Sequence, residues 1–428
     1  MQKVETEIQL FNSPRVSHEV SNRRCPSDGY WRILLVVETS GGGSGRHVVD
    51  LARELIHIGH EVHIVYSGTR IEQQFANEIK SLSGRQHTID MRRAPHPSDL
   101  LAIKRIREYC TRFGPFHIVH GHSSKGGALA RLAGIGHGAI RVYTPHALRT
   151  LDPTLNRVMR WVYNTAELIL SRISDGIILV SEEEKAHALA NGFSQRKLFL
   201  VPNGIPPADV MPRALTRRRL RLGEDDVCIG FVGRFVPQKA AHRLVSAFGC
   251  LASRFPLLRL VMVGEGPMQV ELRHLAERCG VNERIIWLNN ACGREIMPAF
   301  DIFVMPSLYE GFPYVLAEAA AAALPIVATP VGGTSAIVRD KVNGFLVGHT
   351  QQDELVKAIA TLVEKPALRR KMGEVSRRIA ETYTVQNMVG RTCEVYSEVL
   401  SRRAAKASRD SSLRNTLSTR GRGIIKLL

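Results

Sequence analysis

No run of about 18 uninterrupted apolar residues occurs in the 428-residue chain, so a membrane-spanning helix is not expected. The nearest approach, residues 315–331, carries Glu318 and is broken by Pro325 and Pro330. It reads as a buried helix followed by a buried strand. Cysteine is scarce: seven residues form no C-x-x-C pair and keep no regular spacing. That argues against a disulfide framework and against a zinc site built on thiolates. The first twenty residues include Glu5 and Glu7 and lack the apolar core of a secretory signal, so a cytoplasmic location is expected. Aromatic residues make up only 6% of the chain and no nucleic-acid recognition motif is present. No nucleic-acid partner is expected, in spite of the charge described next.

What the chain does have is cation. Fifty-eight Lys and Arg oppose 40 Asp and Glu, a formal balance of +18. Residues 1–200 carry +7, residues 401–428 another +7, and the 200 residues between them only +4. Attraction to an anionic membrane face, or to phosphorylated substrates, accounts for such an excess. Segment 149–163 mixes Arg149, Arg157 and Arg160 with Met159, Trp161 and Tyr163, as interfacial helices do, although a core helix with a solvated edge reads the same way. Peripheral attachment to the inner membrane face is therefore an expectation.

The length calls for two domains or more. Residues 1–29 are polar, without apolar periodicity, and read as a loose leader. From Trp31 a unit repeats: a short β-branched run, a turn, then a stretch of helical period. Strands are expected at 32–37, 61–66, 117–121, 141–144, 176–181 and 197–202, with helices such as 45–58 and 125–136 between them. After a turn-rich stretch the unit restarts, with strands at 228–233, 259–264, 284–288, 301–306, 325–329 and 344–347. Continuous apolar strands alternating with helices mean parallel sheets covered on both faces. The fold class is α/β, with two Rossmann-like domains at 30–206 and 207–384 and a ligand cleft between them. Helix 385–401 is a candidate to cross back to the first domain, and 402–428 reads as a basic disordered tail.

Three segments have the composition of a phosphate site. Residues 307–318 follow an apolar strand, and Pro313 suits the first turn of a helix. That helix would run to about Ala323, its N-terminus offering free N–H groups to a diphosphate. Glu310 falls on the loop and Glu318 about five residues inside the helix, roughly 7–8 Å further along its axis. The two carboxylates can flank a diphosphate, one near its sugar and one near its ribose; two solvent-facing acids would read equally well. In the second segment Arg234 and Lys239 follow a strand that ends in Gly233, two cations suited to a leaving diphosphate or simply to a solvated loop. The third, 41–47, is glycine-rich but matches neither the P-loop nor the dinucleotide fingerprint. His120 and His122 share one face of a strand end, but no acid or cysteine stands at a spacing that completes a metal site, so none is expected. His146 follows another strand end, where its type alone does not decide a role.

These segments, in this order, resemble the retaining nucleotide-sugar glycosyltransferases of family 4, which have the GT-B fold. The resemblance spans about residues 31–400. It rests on the Gly-rich loop with Gly59-His60-Glu61-Val62, on His120-Gly121-His122-Ser123, on Thr144-Pro145-His146 and on Val201-Pro202-Asn203-Gly204. It continues with Gly233-Arg234 and Lys239, Gly264-Glu265-Gly266-Pro267, Glu310 with Glu318 eight residues on, and Gly332-Gly333 with Asn343-Gly344-Phe345. The resemblance implies that Glu310 contacts the donor sugar and Glu318 the nucleotide ribose. Arg234 and Lys239 would hold the diphosphate with the backbone at Gly42, Gly43, Phe312, Pro313 and Val315, and His146 would line the catalytic cleft. It implies no cofactor and no bound metal, a nucleotide diphosphate sugar as donor, and a glycan or lipid-linked acceptor, as in surface-polysaccharide biosynthesis. Two positions depart from the family pattern: Ala240 after the lysine and Ala323 before Leu324-Pro325, where the family usually has glycine. A sugar-nucleotide epimerase, a phosphorylase of the same fold and a non-catalytic binding protein are the alternatives.

Overall fold

The computed structural model describes residues 29–424 apart from 40, 70, 208–210 and 290, with the side chains of 73, 74 and 409–424 left aside. The expected leader lies almost wholly outside these residues. Among them two sheets form, and every strand pair in both is parallel. The first contains β1 (Arg32–Val37), β2 (Glu61–Tyr66), β3 (Arg85–Thr88), β4 (Ile118–His122), β5 (Ile140–Thr144), β6 (Gly176–Leu179) and β7 (Leu198–Leu200), in the order β3-β2-β1-β4-β5-β6-β7. The second contains β8 (Val227–Val232), β9 (Leu258–Val263), β10 (Ile285–Leu288), β11 (Ile302–Met305), β12 (Ile326–Ala328) and β13 (Gly344–Leu346), in the order β10-β9-β8-β11-β12-β13. Strands such as Ile33–Val37 and Leu260–Val263 are buried on both faces, which is why they read as unbroken apolar runs. In each sheet the order reverses at the first strand, β1 or β8, and a crevice opens beyond the carboxyl ends there.

Five helices matter below: α1 (Gly42–His57), α2 (Arg157–Arg172), α3 (Glu182–Ala190), α4 (Tyr314–Ala321) and α5 (Val385–Ile424). Helix α1 starts three residues earlier than its apolar period suggests, so Gly42 and Gly43 belong to its first turn rather than to a loop. Helix α4 is capped by Pro313 and stops at Ala321. With β12 it accounts for the long apolar run, all of whose helical members except Val315 and Ala321 are buried.

Helix α5 leaves the second sheet and packs on the first. Val385, Met388, Val389, Cys393, Tyr396 and Val399 join one core with Trp31, Ile33, Leu35 and Val37. Against the expectation of a disordered tail from 402, the helix continues to Ile424. Residues 401–408 are exposed throughout, so that extension follows from helix propagation on a packed base rather than from burial.

Candidate active site

The crevice is lined from both sides. After β1, Gly42 holds φ at +67°, a conformation open to glycine at little cost. A Cβ on Gly43 would touch the Tyr314 ring at 3.4 Å, an ordinary van der Waals contact, which places the first turn of α1 against α4. Helix α1 then presents Arg46 and His47 toward the second half. Arg46 lies 4.8 Å over the Tyr314 ring and pairs with the Glu318 carboxylate. Glu318 is 7% exposed and takes a second guanidinium, Arg294 Nε, at 3.4 Å. Glu310, also buried, receives Lys239 Nζ at 2.5 Å. Each carboxylate that sequence singles out is thus held by cations, as an acid this buried must be.

The first half contributes a wall of histidines. His122 ends β4, His146 lies two residues past β5, and His122 Nδ1 faces His146 Nε2 at 3.2 Å. His47 completes the group, its ring 4.5 Å from that of His146 and 5.4 Å from that of His122. His47 Nδ1 lies 2.9 Å from Asn203 Oδ1, an atom that can only accept, and 3.3 Å from the Tyr314 hydroxyl, so Nδ1 carries the proton and Nε2 is left with the lone pair. His120 lies behind, bonded to the Tyr396 hydroxyl at 2.7 Å and the Thr144 hydroxyl at 2.8 Å. Burial pushes His47 down to about 4 and His122 and His146 well below the ordinary imidazole range, with repulsion from neighbouring rings adding to the effect in the latter two. All are neutral at pH 7.

His146 stands in a strained turn. Its φ is +59° and that of Ala147 is +105°, two successive non-glycine residues in a region that costs each of them about 1–3 kcal/mol. Glu184, wholly buried at the start of α3, holds the turn: its Oε1 accepts from Ala147 N at 3.0 Å and Leu148 N at 2.8 Å, while Oε2 accepts from Val180 N at 3.0 Å. Opposite, a Cβ on Gly311 would come within 2.8 Å of the His146 carbonyl oxygen. The loop bearing Glu310 therefore touches the turn bearing His146.

Of the residues singled out from sequence, Gly42, Gly43, Phe312, Pro313 and Val315 lie at the starts of α1 and α4, His146 and Glu310 on loops after β5 and β11, Lys239 in a 3-10 turn after β8, and Glu318 inside α4. Arg234 follows β8 and is exposed. Sequence reasoning missed Arg46, His47, Glu184 and Tyr314. It also rejected a metal-type cluster by looking for an acid or cysteine beside His120 and His122, whereas the structure brings His47 and His146 to His122 and leaves His120 out. No spacing rule reveals that grouping, because its members come from three elements. Ala240 and Ala323, the two departures from the family pattern, adopt φ of +45° and +56°, the backbone region that explains glycine there.

Comparison with known proteins agrees with the architecture. Residues 41–209 match the model of Glycosyltransferase Family 4, and residues 212–379 that of Glycosyl transferases group 1. EpsD of Bacillus subtilis, assigned as a glycosyltransferase, is 29% identical over 79% of this chain and 90% of its own. An Escherichia coli UDP-Gal:α-D-GlcNAc-diphosphoundecaprenol α-1,3-galactosyltransferase is 24% identical over 67% of this chain and 76% of its own. HepE of Anabaena, solved with UDP and glucose, superposes with a TM-score of 0.74 at 19% identity over 86% of this chain and all of its own. The two consecutive matches cover the second sheet and all of the first but β1, and the chain belongs to the family 4 glycosyltransferases, enzymes of the GT-B fold.

Proposed function

We propose that the protein moves a hexose, with retention of anomeric configuration, from a nucleoside diphosphate sugar to a hydroxyl of a lipid-linked glycan in surface-polysaccharide assembly. The observation that carries this reading is the pairing of Glu310 with Lys239 and of Glu318 with Arg46 across from a neutral His146. A donor can replace these mutual contacts one for one: sugar hydroxyls on Glu310, ribose on Glu318, diphosphate on Lys239 and Arg234. The backbone N–H groups of Phe312, Tyr314 and Val315 at the start of α4 add donors for the diphosphate, as does the first turn of α1 at Gly42 and Gly43. Pro313 supplies shape but no N–H. Negative charge builds on the leaving phosphate, and fixed cations and helix N-termini stabilise it without reorganising. The sequence offers no obvious second carboxylate as a nucleophile, so front-face transfer is preferred, with the departing phosphate taking the acceptor proton. Neutral His146 holds the sugar by hydrogen bonding.

Attachment to an anionic membrane, on its inner face, belongs to the same reading. Helix α2 is turned inside out: its one buried residue is Glu167, paired with buried Arg131 at 2.9 Å, while Val158 (69%) and Trp161 (68%) are exposed beside Met159, Val162 and Ile169. Arg157, Arg160 and Arg172 are exposed on the same helix, and it carries no exposed acid. Each cation near an anionic surface contributes about 1 kcal/mol, less in salt.

A screen of UDP-, GDP-, ADP- and TDP-sugars for nucleotide release tests the enzyme reading. One donor class should be hydrolysed slowly and consumed faster when a lipid-linked glycan is added. Hydrolysis of none overturns it. In vesicle sedimentation Trp161→Glu should weaken binding to anionic vesicles, and equal sedimentation with neutral vesicles overturns the membrane part.

A further inference from the structure

The three imidazoles at the cleft wall have a property that donor binding does not use. The ligand nitrogens of His47, His122 and His146 lie within 4.8 Å of one another. Their ring centres form a triangle with sides of 4.5, 5.4 and 5.4 Å. Three imidazoles around a tetrahedral ion, with metal–nitrogen bonds of about 2.0–2.1 Å, place their nitrogens roughly 3.3 Å and their ring centres roughly 5 Å apart. His122 Nδ1 and His146 Nε2, at 3.2 Å, already stand at that separation. Asn203 fixes the ring of His47 so that Nε2 is offered, the outer-shell arrangement that metal-bound histidines use.

In the two rings that face each other at 3.2 Å, the second nitrogens, His122 Nε2 and His146 Nδ1, lie outside that contact and are buried without a hydrogen-bond partner among the described residues, so the case for the site rests on the spacing of the three rings. His120, by contrast, has both nitrogens engaged and cannot take part.

We propose that His47, His122 and His146 form a site for a borderline divalent cation, zinc above all, and that the ion opposes turnover. An all-imidazole set suits zinc, nickel or copper and gives magnesium or calcium nothing to bind. Three protein ligands leave a fourth position for water on the cleft side, where His146 is only partly buried. Binding is ligand exchange at neutral imidazoles and changes no oxidation state. The antagonism follows because the ion takes the nitrogen of His146 that faces the cleft group, and this half rests on the role proposed above for His146.

Protein freed of metal by dialysis against EDTA is titrated calorimetrically with zinc chloride in the absence of donor. One ion per chain is expected. Co2+ should give the intense visible absorption of a tetrahedral site, discharged by zinc. His47→Gln and His122→Gln should each weaken zinc binding at least tenfold, whereas His96→Gln, an exposed histidine bonded to Ser98, should leave it unchanged. Absence of binding, a pale octahedral Co2+ spectrum, or binding indifferent to both variants overturns the site. Should the variants fail to fold, wild-type crystals soaked in zinc decide: anomalous density among the three rings supports the site, and density only elsewhere overturns it. Donor turnover should fall in step with zinc occupancy, recover with EDTA and ignore magnesium. Zinc bound at the cluster with turnover intact overturns the antagonism and the role of His146, while leaving the site standing.

Discussion

Glu318 is held by two guanidiniums from different parts of the chain, Arg46 and Arg294, whereas Glu310 is held by an ammonium from its own sheet, Lys239. The difference predicts different kinetic consequences. An interaction equally strong in ground and transition states changes KM alone, and a charged hydrogen bond to ribose is of that kind. Glu318→Gln should raise donor KM by about 10- to 150-fold, corresponding to roughly 1.5–3 kcal/mol, with little loss of kcat. Glu310→Gln should instead lower kcat severely at saturating donor. Steady-state kinetics on variants of matched thermal melt check this, and a reversed pattern assigns the roles the other way round. His47 yields a stability prediction. Its pKa is about 4 in the folded chain, below the usual value of about 6.5 when unfolded. At pH 7 both states are neutral and the group contributes nothing to pH dependence. As pH falls below 6.5 the unfolded chain takes up a proton that the folded chain refuses, so stability declines down to pH 4 and then levels, by about 3 kcal/mol at most for this group. Urea unfolding from pH 7 to 4 should show the decline, and His47→Gln should make it shallower without abolishing it, because buried His120, His122 and His146 are depressed in the same direction. Position after a strand end drew notice to the loop of Glu310 and to His146, but only the family resemblance gave these residues and Glu318 roles. His47 and Glu184 were not legible, since their partners lie 99 and 36 residues away and are met only in the folded chain.

Elements were legible where both faces are buried. The runs at β1, β8, β9 and β11 end within a residue or two of their expected limits. Strand β3 was not, because Arg85-Gln86-His87-Thr88 is a largely exposed edge strand with no apolar run to see. The extension of α5 past 401 was missed for a related reason: residues 401–408 are exposed throughout, and their Ser- and Arg-rich sequence has no apolar period to see. At the joints between elements, the two alanines in the left-handed region are a local cost that glycine relieves. Ala240 joins a short 3-10 turn to the following helix, and Ala323 joins α4 to β12. Left-handed backbone costs an L-residue roughly 1–2 kcal/mol, partly offset by the greater freedom of unfolded glycine. Ala240→Gly and Ala323→Gly should each stabilise the protein by about 0.5–1 kcal/mol in urea melts, and a destabilised pair contradicts the strain.

At the scale of the molecule, the two halves meet through Arg46–Glu318, Tyr309–Asp152, Glu183 with Gly333, and helix α5. Two alternating series of strands were enough to read two sheets, but not which half owns the last helix. Among the described side chains its buried residues stop at Val399, so a chain ending at 401 should melt within about 2 °C of the full protein, as surface changes do. A chain ending at 384 exposes Trp31 and the outer face of β1, and should lose cooperative unfolding. Differential scanning calorimetry on both truncations distinguishes these outcomes. The crossing has a further consequence during synthesis. All seven strands of the first sheet have been made by Leu200, yet the helix that covers one of their faces begins at Val385. At about 5–20 residues per second, roughly 10–40 s pass between the two events. For that interval a nascent chain on the ribosome carries an uncovered apolar sheet face, a binding site for holdase chaperones that disappears only when translation is almost complete.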